Sequence, residues 1–142
     1  MILQTIYAKT IANNGTSYNV VTNQFGANKG FMVSLPNREL RVPIELFNPQ
    51  IIQNFINSNI ELLNNKDNFL GTWVDNDYVY LDVSKCYKDI DTAIRIGMLS
   101  DQLAIYDNVN QTVINLPKRQ TSGTFFQQNT YINLIILKIK NK

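Results

Sequence analysis

Residues 71–117 read GTWVDNDYVYLDVSKCYKDIDTAIRIGMLSDQLAIYDNVNQTVINLP, and their pattern decides the fold. Strand, strand, helix and strand signals follow one another within this single stretch. Residues 69–74 and 78–85 read as two strands joined about Asp75-Asn76-Asp77, a turn chosen for its backbone preferences. On the second strand Val79, Leu81 and Val83 share one face, and Tyr78, Tyr80, Asp82 and Ser84 share the other. Asp89 or Asp91 then caps a helix. Its Ile90, Ala93, Ile94, Gly97 and Met98 recur at i, i+3, i+4, i+7 and i+8, one apolar stripe. Gly97 sits on that stripe, where a missing side chain permits close contact with a sheet. Residues 103–106 and 112–116 form a further hairpin about Asn108-Val109-Asn110.

Upstream, residues 1–10 read as a first strand of mixed apolar and polar residues. Asn13-Asn14-Gly15 is a turn signal, and residues 18–22 continue as a strand. A second turn over 25–30 leads to a hairpin of residues 31–35 and 40–47 about Pro36-Asn37-Arg38-Glu39. Asn48 is a suitable N-cap and Pro49 a suitable first residue for a helix in which Ile52, Phe55, Ile56, Ile60 and Leu63 recur near helical spacing, with a stop near Ser58-Asn59. Downstream, residues 118–123 read as a flexible segment and residues 130–140 as a C-terminal strand. The expectation is one α+β domain over residues 1–142: antiparallel hairpins packed against two helices, with a core over 30–117.

Composition limits the chemistry. The chain has 142 residues and a net charge of +2, too small for a general nucleic-acid binder. That charge is segregated. Residues 67–107 hold eight Asp against three basic residues, and residues 118–142 hold five Lys/Arg and no acid. The basic tail either packs near the acidic segment, or acidic and basic faces meet different partners. The chain contains 20 Asn and 17 Ile, which have A/T-rich codons, so the excess reads as genome composition. There is no histidine, which removes His-based triads and His-bound metals. Cys86 is alone, so no intramolecular disulfide forms, and a cytosol-like compartment fits. Residues 1–11 do not read as a secretory signal, and the apolar run at 132–139 falls far short of the ~20 residues that span a bilayer.

Several residues carry candidate chemistry. Lys85 and Lys88 would activate Cys86 as a nucleophile, but a half-buried structural thiol is the better reading. Asp75, Asp77 and Asp82 offer oxygen ligands for a cation, but the first two suit a turn. Asp82 stands mid-strand among apolar residues, where Asp is disfavoured, and it is paired structurally or used in binding. Trp73, Tyr78, Tyr80 and Tyr106 form an aromatic set. Without interleaved Lys/Arg, packing or a protein interface suits them better than base stacking. In the tail Ile135, Leu137 and Ile139 share one apolar face and Ile132, Leu134 and Ile136 the other, so the strand needs cover inside a sheet or from another copy. Lys138 and Lys140 alternate with apolar residues there, as edge-strand lysines or phosphate contacts. No Gly-rich phosphate loop and no cofactor motif is present.

The Gly-Thr-Trp start at 71–73, the Tyr-Leu-Asp-Val-Ser strand at 80–84, the Ala-containing helix and the Gln-x-Ala-Ile-Tyr-Asp run at 102–107 together resemble a small domain carried by bacteriophages and integrative mobile elements. The likeness covers about residues 30–117 of the sequence. Ser100-Asp101-Gln102 departs from the Asn-Gln pair expected before that last strand. The resemblance implies provenance rather than a reaction. The resulting expectation is a non-catalytic phage or mobile-element accessory protein, with no cofactor, that binds a host or viral protein in the host cytoplasm. The alternative is a structural subunit of a virion or other homo-oligomeric assembly. Trp73, Tyr78, Tyr80, Asp82, Tyr106, Ile135, Leu137, Lys138 and Lys140 are the candidate contact residues.

Overall fold

The structure, a computed structural model, describes residues 2–117. The elements in chain order are α1 (Ile2–Asn13), β1 (Gly15–Tyr18), β2 (Phe31–Ser34), β3 (Leu40–Pro43), α2 (Pro49–Ser58), α3 (Ile60–Leu63), β4 (Asn68–Asp75), β5 (Tyr78–Tyr87), α4 (Ile90–Leu99), β6 (Ala104–Asp107) and β7 (Thr112–Asn115). A 3-10 turn, Ile44–Leu46, follows β3. The fold is α+β with antiparallel strands, as the sequence implies. Its contacts group into two compact units. Among the described residues the first combines 2–27 with Asn37–Lys85, and the second combines Asn28–Pro36 with 86–117.

In the first unit β1, β4, β5 and β3 lie side by side. The β4–β5 hairpin is the spine, in register from Asn68↔Lys85 to Asp75↔Tyr78. Asn76 takes the left-handed conformation that its turn requires, at φ 55°. Alternation along β5 buries Val79, Leu81 and Val83 completely. The core is completed by Leu70 of β4, Ile6 of α1, Ile52 of α2 and Leu63 of α3. Helix α1 packs on α2, β1 and β4. There Thr10 Oγ1 lies 2.6 Å from Thr72 Oγ1 and donates to the Ile6 carbonyl at 2.8 Å. Asn48 caps α2, its side chain accepting from the Ile51 N–H at 3.0 Å.

In the second unit β6 pairs with β2 and β7, and α4 packs on β2 and β6. Asp89 is the cap: its carboxylate accepts from the Thr92 N–H and the Thr92 hydroxyl, both at 2.9 Å. The apolar stripe of α4 is core. Ala93, Ile94 and Met98 bury against Val33, Ile105, Ile114 and Leu116. A Cβ on Gly97 would stand 2.7 Å from Leu116 Cδ1 and 3.1 Å from Ile105 Cγ2, so the bare glycine lets the helix lie this close.

Three local expectations are overturned. Residues 1–10 are not a strand, because Ile2–Asn13 is helical and closes on Asn14 at φ 61°. Its buried stripe runs through Ile6 and Thr10, so a threonine interrupts the apolar signal, and β-branched residues at Thr5, Ile6, Thr10 and Ile11 favour extended chain when read locally. The second strand ends at Tyr18, because the Asn19 side chain builds a turn by accepting from the Val21 and Thr22 N–H groups. Residues 31–35 and 40–47 do not pair with each other: β2 pairs with β6, and β3 pairs with β5. The Pro36-Asn37 turn sets a change of direction, not a partner. The C-terminal strand at 130–140 lies outside the described residues.

Candidate functional site

The face of the β4–β5 hairpin opposite its apolar side carries four of the expected contact residues. Trp73 stands opposite Tyr80 in the register, their ring centroids 5.2 Å apart and planes 35° from parallel. Tyr78 follows on the same side of β5 toward the turn, and Asp82 on the same side away from it. Strand β3 extends the face. Arg41 lies opposite Tyr80, and its guanidinium carbon sits 4.4 Å from the centroid of the Tyr78 ring, a cation–π contact. Since Tyr78 and Asp82 flank Tyr80 on opposite sides, the Arg41 head leans away from Asp82. Trp73 remains 43% exposed, large for an indole in a paired strand.

The next row across the sheet is acidic. Gly71 pairs with Asp82, and Leu40↔Leu81 pairing brings Glu39 beside Asp82 on its other flank. Asp82 is buried and accepts from the Ser84 hydroxyl at 3.1 Å. Its carboxylate occupies the space that a Cβ on Gly71 would need, which explains a glycine mid-strand. Glu39 is exposed at the edge. Partial burial first, and then the neighbouring Asp82 charge, hold the Glu39 carboxyl above its ordinary value; Arg41 pulls it down by less. The face thus joins a wet aromatic ledge to a carboxylate row. The ledge can stack a planar or cationic group.

The remaining candidates lie elsewhere. Tyr106 belongs to the second unit, opposite Val113 on the partly exposed face of the β6–β7 hairpin. Ile135, Leu137, Lys138 and Lys140 lie outside the described residues. Cys86 is half-buried, its Sγ 3.5 Å from the Lys29 carbonyl oxygen and 3.6 Å from Asn108 Nδ2. Asp75 ends β4 and Asp77 lies in the two-residue turn before β5, where its carbonyl accepts from the Ile44 N–H at 2.8 Å. Among the described residues no three His, Cys, Asp or Glu side chains are grouped to hold a metal ion, and no helix is long and apolar enough to cross a membrane.

Sequence reasoning missed Glu39 and Arg41, assigned to a turn and to a strand with another partner. The available signal was their alternation about Leu40 with Val42 beyond, which places both on one face of any strand. No protein family, curated protein or solved structure matches this chain.

Proposed function

We propose that the chain is a protein-binding factor and that the Trp73 face of its first unit is the contact surface. The observation that carries this reading is the half-exposed Trp73–Tyr80 pair with Arg41 over Tyr78 beside it. Trp, Tyr and Arg are the residue types that dominate binding energy at protein interfaces. Cross-strand stacking holds them rigid before contact, so little side-chain entropy is lost on binding. The adjoining carboxylates repel phosphate, which favours a protein over a nucleic acid. The resemblance to phage and mobile-element domains makes a host or viral protein the natural partner.

The test is affinity capture of the full chain from host cells, with partners identified by mass spectrometry. Trp73→Ala should abolish recovery of the principal partner while leaving the melting temperature close to that of the parent protein. Glu61→Ala, on α3, should retain the partner. Equal recovery by the Trp73→Ala and parent proteins would overturn the assignment of this face.

A further inference from the structure

We infer that Asn14-Gly15 is a self-modifying joint: Asn14 deamidates in the folded chain, and the product loosens α1 from β1 and β4. The fold itself demands this pair of residues. Asn14 alone joins the end of α1 to the start of β1. It takes the left-handed conformation at φ 61°, which asparagine tolerates better than most side chains. Gly15 follows at φ 151°, and a Cβ there would stand 2.6 Å from the Thr72 carbonyl oxygen, so glycine alone fits. Asn-Gly is also the asparagine pair most prone to deamidation, because no side chain shields the glycine nitrogen. It occurs once in the sequence. Asn23, Asn37 and Asn76 share the positive φ, but Gln24, Arg38 and Asp77 follow them.

The geometry leaves the reacting atoms accessible. Asn14 is exposed just past the end of a helix, where helices fray. The Val74 N–H donates to the Asn14 carbonyl at 3.0 Å, so by the alternation of an antiparallel ladder the Gly15 N–H points away from β4. The Gly15 nitrogen attacks Asn14 Cγ. A new N–C bond closes a succinimide, the Cγ–Nδ2 bond breaks, and ammonia leaves with the proton given up by Gly15. Water then opens the ring, its hydroxyl going to a carbonyl carbon and its proton to the glycine nitrogen. Attack at Cγ gives aspartate. Attack at the main-chain carbonyl gives iso-aspartate, whose main chain runs through Cβ. That product adds one carbon to a connection one residue long, so Gly15↔Trp73 pairing and the 2.6 Å Thr10–Thr72 contact no longer fit together. Either product also sets a carboxylate at the negative end of the α1 dipole, and the last turn of α1 holds no basic residue to offset it.

The experiment incubates the folded full chain in mildly alkaline buffer beside a sample unfolded in urea. Digestion at mildly acidic pH, where the reaction stalls, releases the tryptic peptide of residues 10–29 for mass spectrometry. The folded chain should modify at Asn14 before any other asparagine of residues 2–117, with iso-aspartate among the products and a rate that rises with hydroxide concentration. Its melting temperature should fall by about 3–5 °C as modification proceeds, the shift that loss of about one buried hydrogen bond produces in a chain of this size. Trp73 stands opposite Gly15 and is the only tryptophan in the chain, so its emission should change in step. Asn14→Gly keeps a residue that accepts positive φ and carries no amide, so the same incubation should leave its melting temperature and emission unchanged. Modification of Asn14 in urea but not in the folded chain overturns the inference, as does earlier modification of another asparagine. Modification at Asn14 with unchanged melting and emission also overturns it, because α1 then keeps its hold. So does an Asn14→Gly protein that declines on incubation as the parent does, since the loss then arises elsewhere.

Discussion

Replacing Ile94 by alanine should destabilise the second unit by about 3 kcal/mol, in a range of about 2–4 kcal/mol. Ile94 is 2% exposed and packs with Val33, Met98, Ile105, Ile114 and Leu116. The substitution removes three carbons from the apolar interior. At about 0.8 kcal/mol per buried methylene the transfer loss is about 2.5 kcal/mol. A cavity that collapses only partly adds about 0.5–1 kcal/mol more. Ile94→Val removes one carbon and should cost about 1 kcal/mol. Helix propensity works the other way, since alanine is the better helix former, but that gain is a few tenths of a kcal/mol and cannot reverse the sign. Urea denaturation followed by circular dichroism measures the change. At a slope of about 1.5 kcal/mol/M the midpoint of Ile94→Ala should fall by about 2 M. A loss below about 0.5 kcal/mol at unchanged slope would refute the placement of this stripe in the core.

Asn48→Ala removes the acceptor for the Ile51 N–H and should cost about 1 kcal/mol, read from the same melts. Gly71→Ala forces the Asp82 carboxylate off its place and strains its bond from Ser84; a loss of about 1–2 kcal/mol is expected, with Trp73 emission altered, whereas a gain in stability would refute the close approach. Hydrogen bonds from the Thr92 N–H and hydroxyl hold the Asp89 carboxyl below its ordinary value, so its contribution is present above that value and is lost as pH falls through the lowered one. Asp89→Ala should therefore lower the melting temperature at neutral pH and make no difference in strong acid. Glu39 has the opposite sign: with its carboxyl held above the ordinary value, stability is fullest below that value and declines as pH rises through the raised one. Glu39→Gln should remove this decline, measured as melting temperature against pH.

Elements with strong local codes were legible before any coordinates. The β4–β5 hairpin, the Asn48-Pro49 helix start, the stripe of α4 and the β6–β7 hairpin each place their apolar residues at a single period, with turn or cap residues at the ends. Helix α1 was not legible, because Thr10 occupies a core position by bonding both Ile6 and Thr72, and only tertiary structure supplies the second partner. The partner of β3 was not legible either. A turn at Pro36-Asn37 is a local event, while Leu40↔Leu81 pairing is a contact across the fold. The candidate face followed the same division. Tyr78, Tyr80 and Asp82 fell on one side of β5 by alternation alone, and Trp73 joined them through β4–β5 pairing. Glu39 and Arg41 joined them only through strand pairing, and with them came the charge that gives the face its chemistry.

The central claim is that partners meet this chain on the Trp73 face. Site-specific photocrosslinking in host cells tests it most directly. A benzophenone amino acid at Tyr78 places the reactive group on the face, and the same group at Glu61 places it on α3. The account predicts one dominant protein adduct at position 78 that Trp73→Ala removes, and none of that adduct at position 61. The same adduct formed from position 61 but not from position 78 would contradict it.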